Sequence, residues 1–126
     1  MMNTVVRHFL IDLSRKRTNQ TITYQRLSDE CKLKLNMSNP AHRNEMAKIL
    51  ETISIFEHKS SPQRPLLSAL VLRLNDGLEG DGFYKLGQNL GFGDWVKLKK
   101  EGMFEISQIT KCIEFWSEED NFSNYR

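Results

Sequence analysis

Five side chains of the kinds that bind metals or attack substrates are spread along the chain: His8, Cys31, His42, His58 and Cys112. No histidine has a second histidine or a cysteine three or four residues away, the spacing that sets two ligands on one helical face. The two cysteines also lack metal-ligand spacing, fall in segments of helical pattern, and read as buried or idle thiols. Gly80-Asp81-Gly82 and Gly91-Phe92-Gly93 invite a phosphate-loop reading. Neither continues as G-x-G-x-x-G after a strand or as G-x-x-x-x-G-K-[ST], so the first reads as a turn into a helix and the second as a helix stop. No catalytic residue, metal site or cofactor is therefore expected, and the chain reads as a non-enzymatic protein.

The chemistry that remains is charge and hydrogen bonding. A helix offered to a DNA groove needs donors on its outer face and a buried inner face that fixes its angle. It also needs cations or helix N-termini close by for the phosphates. Residues 39–56 have this pattern: Met46, Ile49, Leu50, Ile53 and Phe56 recur at helical spacing, while Arg43, Asn44 and Lys48 lie opposite. His42 stands near the first turn, and Arg26, Lys32 and Lys34 are close in sequence. Glu51 on the outer face and Glu45 at its margin work against this use, because carboxylates repel phosphate.

The elements that must position these residues follow from periodicity and punctuation. Val6, Phe9, Leu10 and Leu13 predict an amphipathic helix over 3–17, closed by Arg15-Lys16-Arg17 where positive charge suits the C-terminal dipole. Thr21-Ile22-Thr23 is short and β-branched, an edge strand, and Thr23 can cap a helix from Tyr24 to about Lys34. Asn39-Pro40 then restarts a helix with a cap and a proline at its first position. The apolar run Leu66 to Leu74 predicts a buried strand, Asn75-Asp76-Gly77 a turn, and Leu78-Glu79 a returning strand, together a wing over about 75–82. Phe83, Leu86 and Leu90 predict a short helix, Gly93-Asp94 a cap for a turn carrying Trp95 and Leu98. A last helix is expected from about Met103 to Trp116, with Ile106, Ile109, Ile113 and Trp116 inward.

At 126 residues the chain is most simply one domain. The expected division is a single winged-helix-like domain over 1–117 and an acidic, frayed tail over 118–126. No apolar run approaches the roughly 18 residues of a membrane span. The opening residues lack the pattern of a signal peptide, so a cytoplasmic location without membrane partners is expected. Net charge is only +2, but residues 1–64 carry 11 Lys/Arg against 6 Asp/Glu, and residues 65–126 carry 7 against 10. The basic first half is the one that holds the candidate helix pair.

Ile22-Thr23-Tyr24-Gln25-Arg26-Leu27 resembles the entry motif of the winged-helix domain of alkylguanine-DNA alkyltransferases and alkyltransferase-like proteins. That resemblance spans about residues 20–80. It implies that Tyr24 works at the phosphate of a flipped nucleotide. It also implies that Arg43, or Asn44 in the alternative register, enters the base stack. Arg64-Pro65-Leu66-Leu67 falls where those proteins carry Pro-Cys-His-Arg, and here no cysteine, histidine or arginine follows the proline. Alkyl transfer of that type therefore has no nucleophile and no activating base. Arg-Pro-Leu-Leu-Ser-Ala-Leu-Val followed by Gly-Leu-Glu-Gly-Asp-Gly-Phe also resembles small uncharacterised bacterial or phage proteins, which implies a prokaryotic cytoplasmic origin and no activity.

The fold expected from these readings is α+β. It is a winged helix-turn-helix core with an N-terminal helix, a small antiparallel sheet and additional C-terminal helices. The leading expectation is DNA binding through Tyr24, Arg26, His42, Arg43, Asn44 and Lys48, with no cofactor. The alternative is a protein-interaction module, such as an immunity- or antitoxin-like inhibitor or a phage defence or counter-defence subunit. It is motivated by the acidic second half and by Phe92, Trp95, Phe115 and Trp116, should these be exposed.

Overall fold

The computed structural model describes residues 2–73 and 79–126. Among them are seven α-helices and one two-stranded sheet, a mostly helical α+β arrangement. α1 (Thr4–Ser14) starts where the Asn3 side chain accepts the Val6 N–H at 3.0 Å. Val6, Leu10 and Leu13 are buried as their spacing predicts, but so are Arg7, Ile11 and Ser14. α1 is therefore a central helix covered on more than one side, packed on the segment after Pro65 and on the last long helix.

β1 (Ile22–Thr23) leads straight into α2 (Tyr24–Glu30), capped by Thr23 as expected and ended at Cys31, earlier than Lys34. α3 (Pro40–Lys59) is the longest helix, with Asn39 accepting the Ala41 N–H at 2.9 Å and Pro40 in its first turn. Met46, Leu50 and Ile53 are buried along it, and Ile49 is half-buried.

The run after Pro65 departs from the expected strand. Leu67–Leu70 is a 3₁₀ turn, and among the described residues of this run only Val71–Leu72 forms a strand, β2. Leu66, Leu67, Ala69 and Leu70 are fully buried, so the apolar signal was a true burial signal. The backbone there needs no ladder, because side chains supply its partners: Gln108 accepts from Leu66 N–H at 3.0 Å and Ser54 from Ser68 N–H at 3.1 Å. β2 pairs with β1 in parallel, Ile22 opposite Val71 and Thr23 opposite Leu72. The expected antiparallel sheet is corrected here. β1 and β2 are joined through α2 and α3, and a long helical crossover brings strands together in parallel. The turn Asn75-Asp76-Gly77 and Leu78 of the expected wing lie outside the described residues; Glu79 is not in a strand.

α4 (Asp81–Asn89), α5 (Trp95–Glu101) and α6 (Phe104–Ser117) follow. A second core of Leu66, Ala69, Phe83, Tyr84 and Phe104 joins α4 and α6. Gly87 is required there: a Cβ would lie 2.6 Å from the Phe104 ring. α6 is rotated from the expected face. Its buried residues are Phe104, Gln108, Cys112 and Trp116, and Ile106 is 54% exposed. The expected isoleucine stripe lies beside the true one, which includes a polar residue that hydropathy discounts.

The acidic end of the chain is helical and packed. Glu119–Tyr125 forms α7, and Arg7 of α1 and Arg15 at its C-cap hold it. Arg7 Nη2 donates to Tyr125 O at 2.6 Å, and Arg15 Nη2 meets Glu119 at 2.6 Å with its guanidinium 3.9 Å above the Phe122 ring. Arg126 in turn grips Asp12 at 2.8 Å.

Candidate functional site

The α2–α3 connector, residues 31–39, is built rather than loose. Ser28 Oγ donates to Leu35 O and accepts Leu35 N–H, at 3.1 and 3.0 Å. Gln25 reaches the same stretch from α2, donating to Leu35 O at 3.0 Å and accepting Met37 N–H at 2.9 Å. This bracing holds Lys32 and Lys34 at φ of +56° and +60°, left-handed backbone that costs an L-residue on the order of 1 kcal/mol. Both lysines are exposed and neither makes an ion pair among the described residues.

The six expected site residues divide into three groups. Asn44 and Lys48 stand on the exposed side of α3, and Lys48 has no ion-pair partner among the described residues. Arg43 is exposed beside them and spends one donor on Met37 O at 3.3 Å. His42 and Arg26 are engaged more locally. His42 Nδ1 accepts Asn36 N–H at 2.8 Å, so the ring pins the connector, and Arg26 lies 3.9 Å from Glu30 in an exposed pair one turn on. Tyr24 is the third case. It lines a crevice of about 70 Å³ between α3 and α4 with Ala47, Glu51 and Phe83, its phenol packed towards Gly80. Burial, followed by the charge of Glu79 and partly offset by Arg73, pushes Tyr24 up to about 12. At neutral pH it offers a phenolic O–H beside α3, not a phenolate.

Glu79 is the residue that sequence reasoning missed. It is 4% exposed, and neither carboxylate oxygen has a hydrogen-bond partner among the described residues; one oxygen of Glu105 is in the same position. Burial, reinforced by the like charge of Glu105, pushes Glu79 up to about 9, so it is protonated at neutral pH. Tyr84 is raised in the same neighbourhood, by burial and then by the Glu105 charge. Nothing in the local sequence marks Glu79, because its burial comes from elements distant in the chain.

Both thiols are shifted away from reactivity. Burial pushes Cys112 up, with Glu57 adding to it, and the thiol donates to Leu66 O at 3.3 Å. Burial and then Glu30 raise Cys31. Reactive thiols are tuned in the opposite direction. Among the described residues no group of three or more His, Cys, Asp or Glu side chains is placed to share a metal ion, and no helix is long and apolar enough to cross a membrane. No protein-family model, curated protein or solved structure matches this chain.

Proposed function

We propose that the chain is a non-enzymatic DNA-binding protein. On this reading α2, the connector and α3 act as the helix-turn-helix of a winged-helix fold, similar to alkyltransferase-like proteins and without alkyl transfer. One observation carries it: a braced connector holds two lysines in left-handed backbone beside the start of α3, whose outer face adds Arg43 and Lys48. Glycine or asparagine would suit that backbone at lower cost, so the lysines are best explained by what they reach outside the molecule. Strongly hydrated ammonium groups on a fixed frame suit phosphates, and on this reading Asn44 and the Tyr24 hydroxyl would read or steady a nucleotide.

The test is retention of random duplex and single-stranded DNA by the pure protein across a salt series. The Arg43→Ala/Lys48→Ala double variant should bind more weakly, with the salt slope reduced by about 2. An unchanged affinity and slope would remove this face from the interface. A second reading, docking of a partner protein on the same surface as an immunity-like or phage-defence module, is favoured by the exposed carboxylates of Glu45 and Glu51. No retention of DNA by the wild-type chain even at low salt would select it.

A further inference from the structure

A cleft of about 480 Å³ opens at the other end of α3, between the 58–65 turn, Phe92 and the outer side of α6. That volume is in the range of small-molecule sites. It lies about 22 Å along α3 from Arg43, so it is separate from the surface of α3 and its connector.

Two almost fully buried side chains line this cleft with donors left over. Gln108 is 3% exposed, and its orientation is fixed because Leu66 N–H needs its Oε1 as acceptor. The carboxamide nitrogen makes no hydrogen bond among the described residues. Arg64, 6% exposed, gives Nε to Glu57 and Nη2 to Ser60 Oγ, and its Nη1 makes no hydrogen bond among the described residues. Neither donor atom is sealed from solvent, so both are open to an acceptor bound in the cleft. Charge points the same way. The buried Glu57 carboxylate is shared between Arg7 and Arg64, so the triad carries one uncompensated positive charge. Lys111 on the rim adds an ammonium with no carboxylate partner among the described residues.

An anion with two acceptor oxygens meets these demands, which is the chemistry of a carboxylate. Phe92 and Phe115 supply aromatic walls. Glu114 and Glu118, both without ion pairs among the described residues, offer the opposite charge on the same side of α6. We propose that this cleft binds a small aromatic zwitterion of the aromatic amino-acid type. Its carboxylate takes the free donors of Gln108 and Arg64 with Lys111 alongside. Its ring lies on Phe92 and Phe115, and its ammonium faces Glu114 and Glu118.

The probes are L-phenylalanine, phenylalaninamide, which lacks the carboxylate, and phenylacetate, which lacks the ammonium. Each is titrated into the full chain by calorimetry and by amide chemical shifts. Phenylalanine should bind saturably below about 10 mM, and each single-charge analogue about ten-fold or more weakly. Gln108→Glu keeps the acceptor for Leu66 N–H but replaces the donor with an anionic oxygen, and should lower affinity by about ten-fold or more. Lys111→Gln, at an exposed position that folding does not need, should lower it by about three-fold. The proposal is overturned by no saturable binding of phenylalanine up to about 10 mM, by phenylalaninamide or phenylacetate binding as tightly, or by unchanged affinity in the Lys111→Gln protein.

Discussion

The two ends of α3 use positive charge in opposite ways. At its C-terminal end Arg7 and Arg64 share the Glu57 carboxylate in the interior, with the Phe56 ring beside both guanidiniums. Arg15 and Arg126 are tied to acidic residues on the neighbouring α1–α7 seam. At the N-terminal end Lys32, Lys34, Arg43 and Lys48 have no carboxylate partner among the described residues. Net charge does not distinguish these uses. The arginines at one end close the fold, and the cations at the other are left to solvent or to a partner. Arg15 illustrates the point. It stands in a basic triplet that helix-dipole reasoning explains well, yet its side chain reaches Trp116 O at 2.8 Å and covers Phe122.

This contrast can be broken first at its buried side. Glu57→Gln leaves two interior guanidiniums without their counter-ion and should cost about 3–5 kcal/mol, read as a drop in denaturation midpoint. A loss under about 1 kcal/mol would mean that the triad is not held as described. Glu79 gives the reverse sign. Its folded pKa of about 9 lies above its ordinary value of 4.5, so the folded state holds the extra proton between those limits. Stability should therefore fall as pH rises from about 5 to about 9. Glu79→Gln should flatten that fall and raise stability at pH 8 by about 2 kcal/mol, seen as a higher Tm at pH 8 and little change at pH 4.

Smaller effects sharpen the comparison. Arg15→Ala should cost about 1 kcal/mol and raise amide exchange in 119–125 before the rest of the chain opens. Equal protection in both proteins would show that α7 is held elsewhere. Lys32→Gly and Lys34→Gly should each raise stability by roughly 0.5 kcal/mol, by relieving left-handed backbone, while weakening DNA binding. Stability gained together with function lost is the signature of residues kept for a partner.

Local grammar was legible in the residues, and long-range placement was not. Thr23 and Asn39-Pro40 marked their helix starts because a cap depends only on neighbouring backbone. Met46, Leu50 and Ile53 marked the buried face of α3 because one stripe meets one core. α6 misled because Ile106 is left exposed while Gln108 is buried for the sake of the Leu66 backbone. The run after Pro65 showed its burial but not its shape, since Ser54 and Gln108 reach it from other helices. The direction of the sheet depended on which segments pair, and the packing of the acidic end on an arginine over a hundred residues earlier. At the candidate site the outward position of Arg43, Asn44 and Lys48 was readable from periodicity. The placement of Tyr24 beside Glu79, and the left-handed lysines, were not.

The most direct measurement compares two variants of equal net charge. One replaces the displayed cations Lys32, Lys34, Arg43 and Lys48 with alanine; the other replaces the exposed Lys59, Lys97, Lys100 and Lys111. The logarithm of the DNA affinity is then followed against the logarithm of salt concentration for each and for the wild type. The first variant should lose about 3–4 from the wild-type slope, and the second should keep it nearly intact. Equal losses in both variants would contradict a DNA surface centred on α3 and its connector.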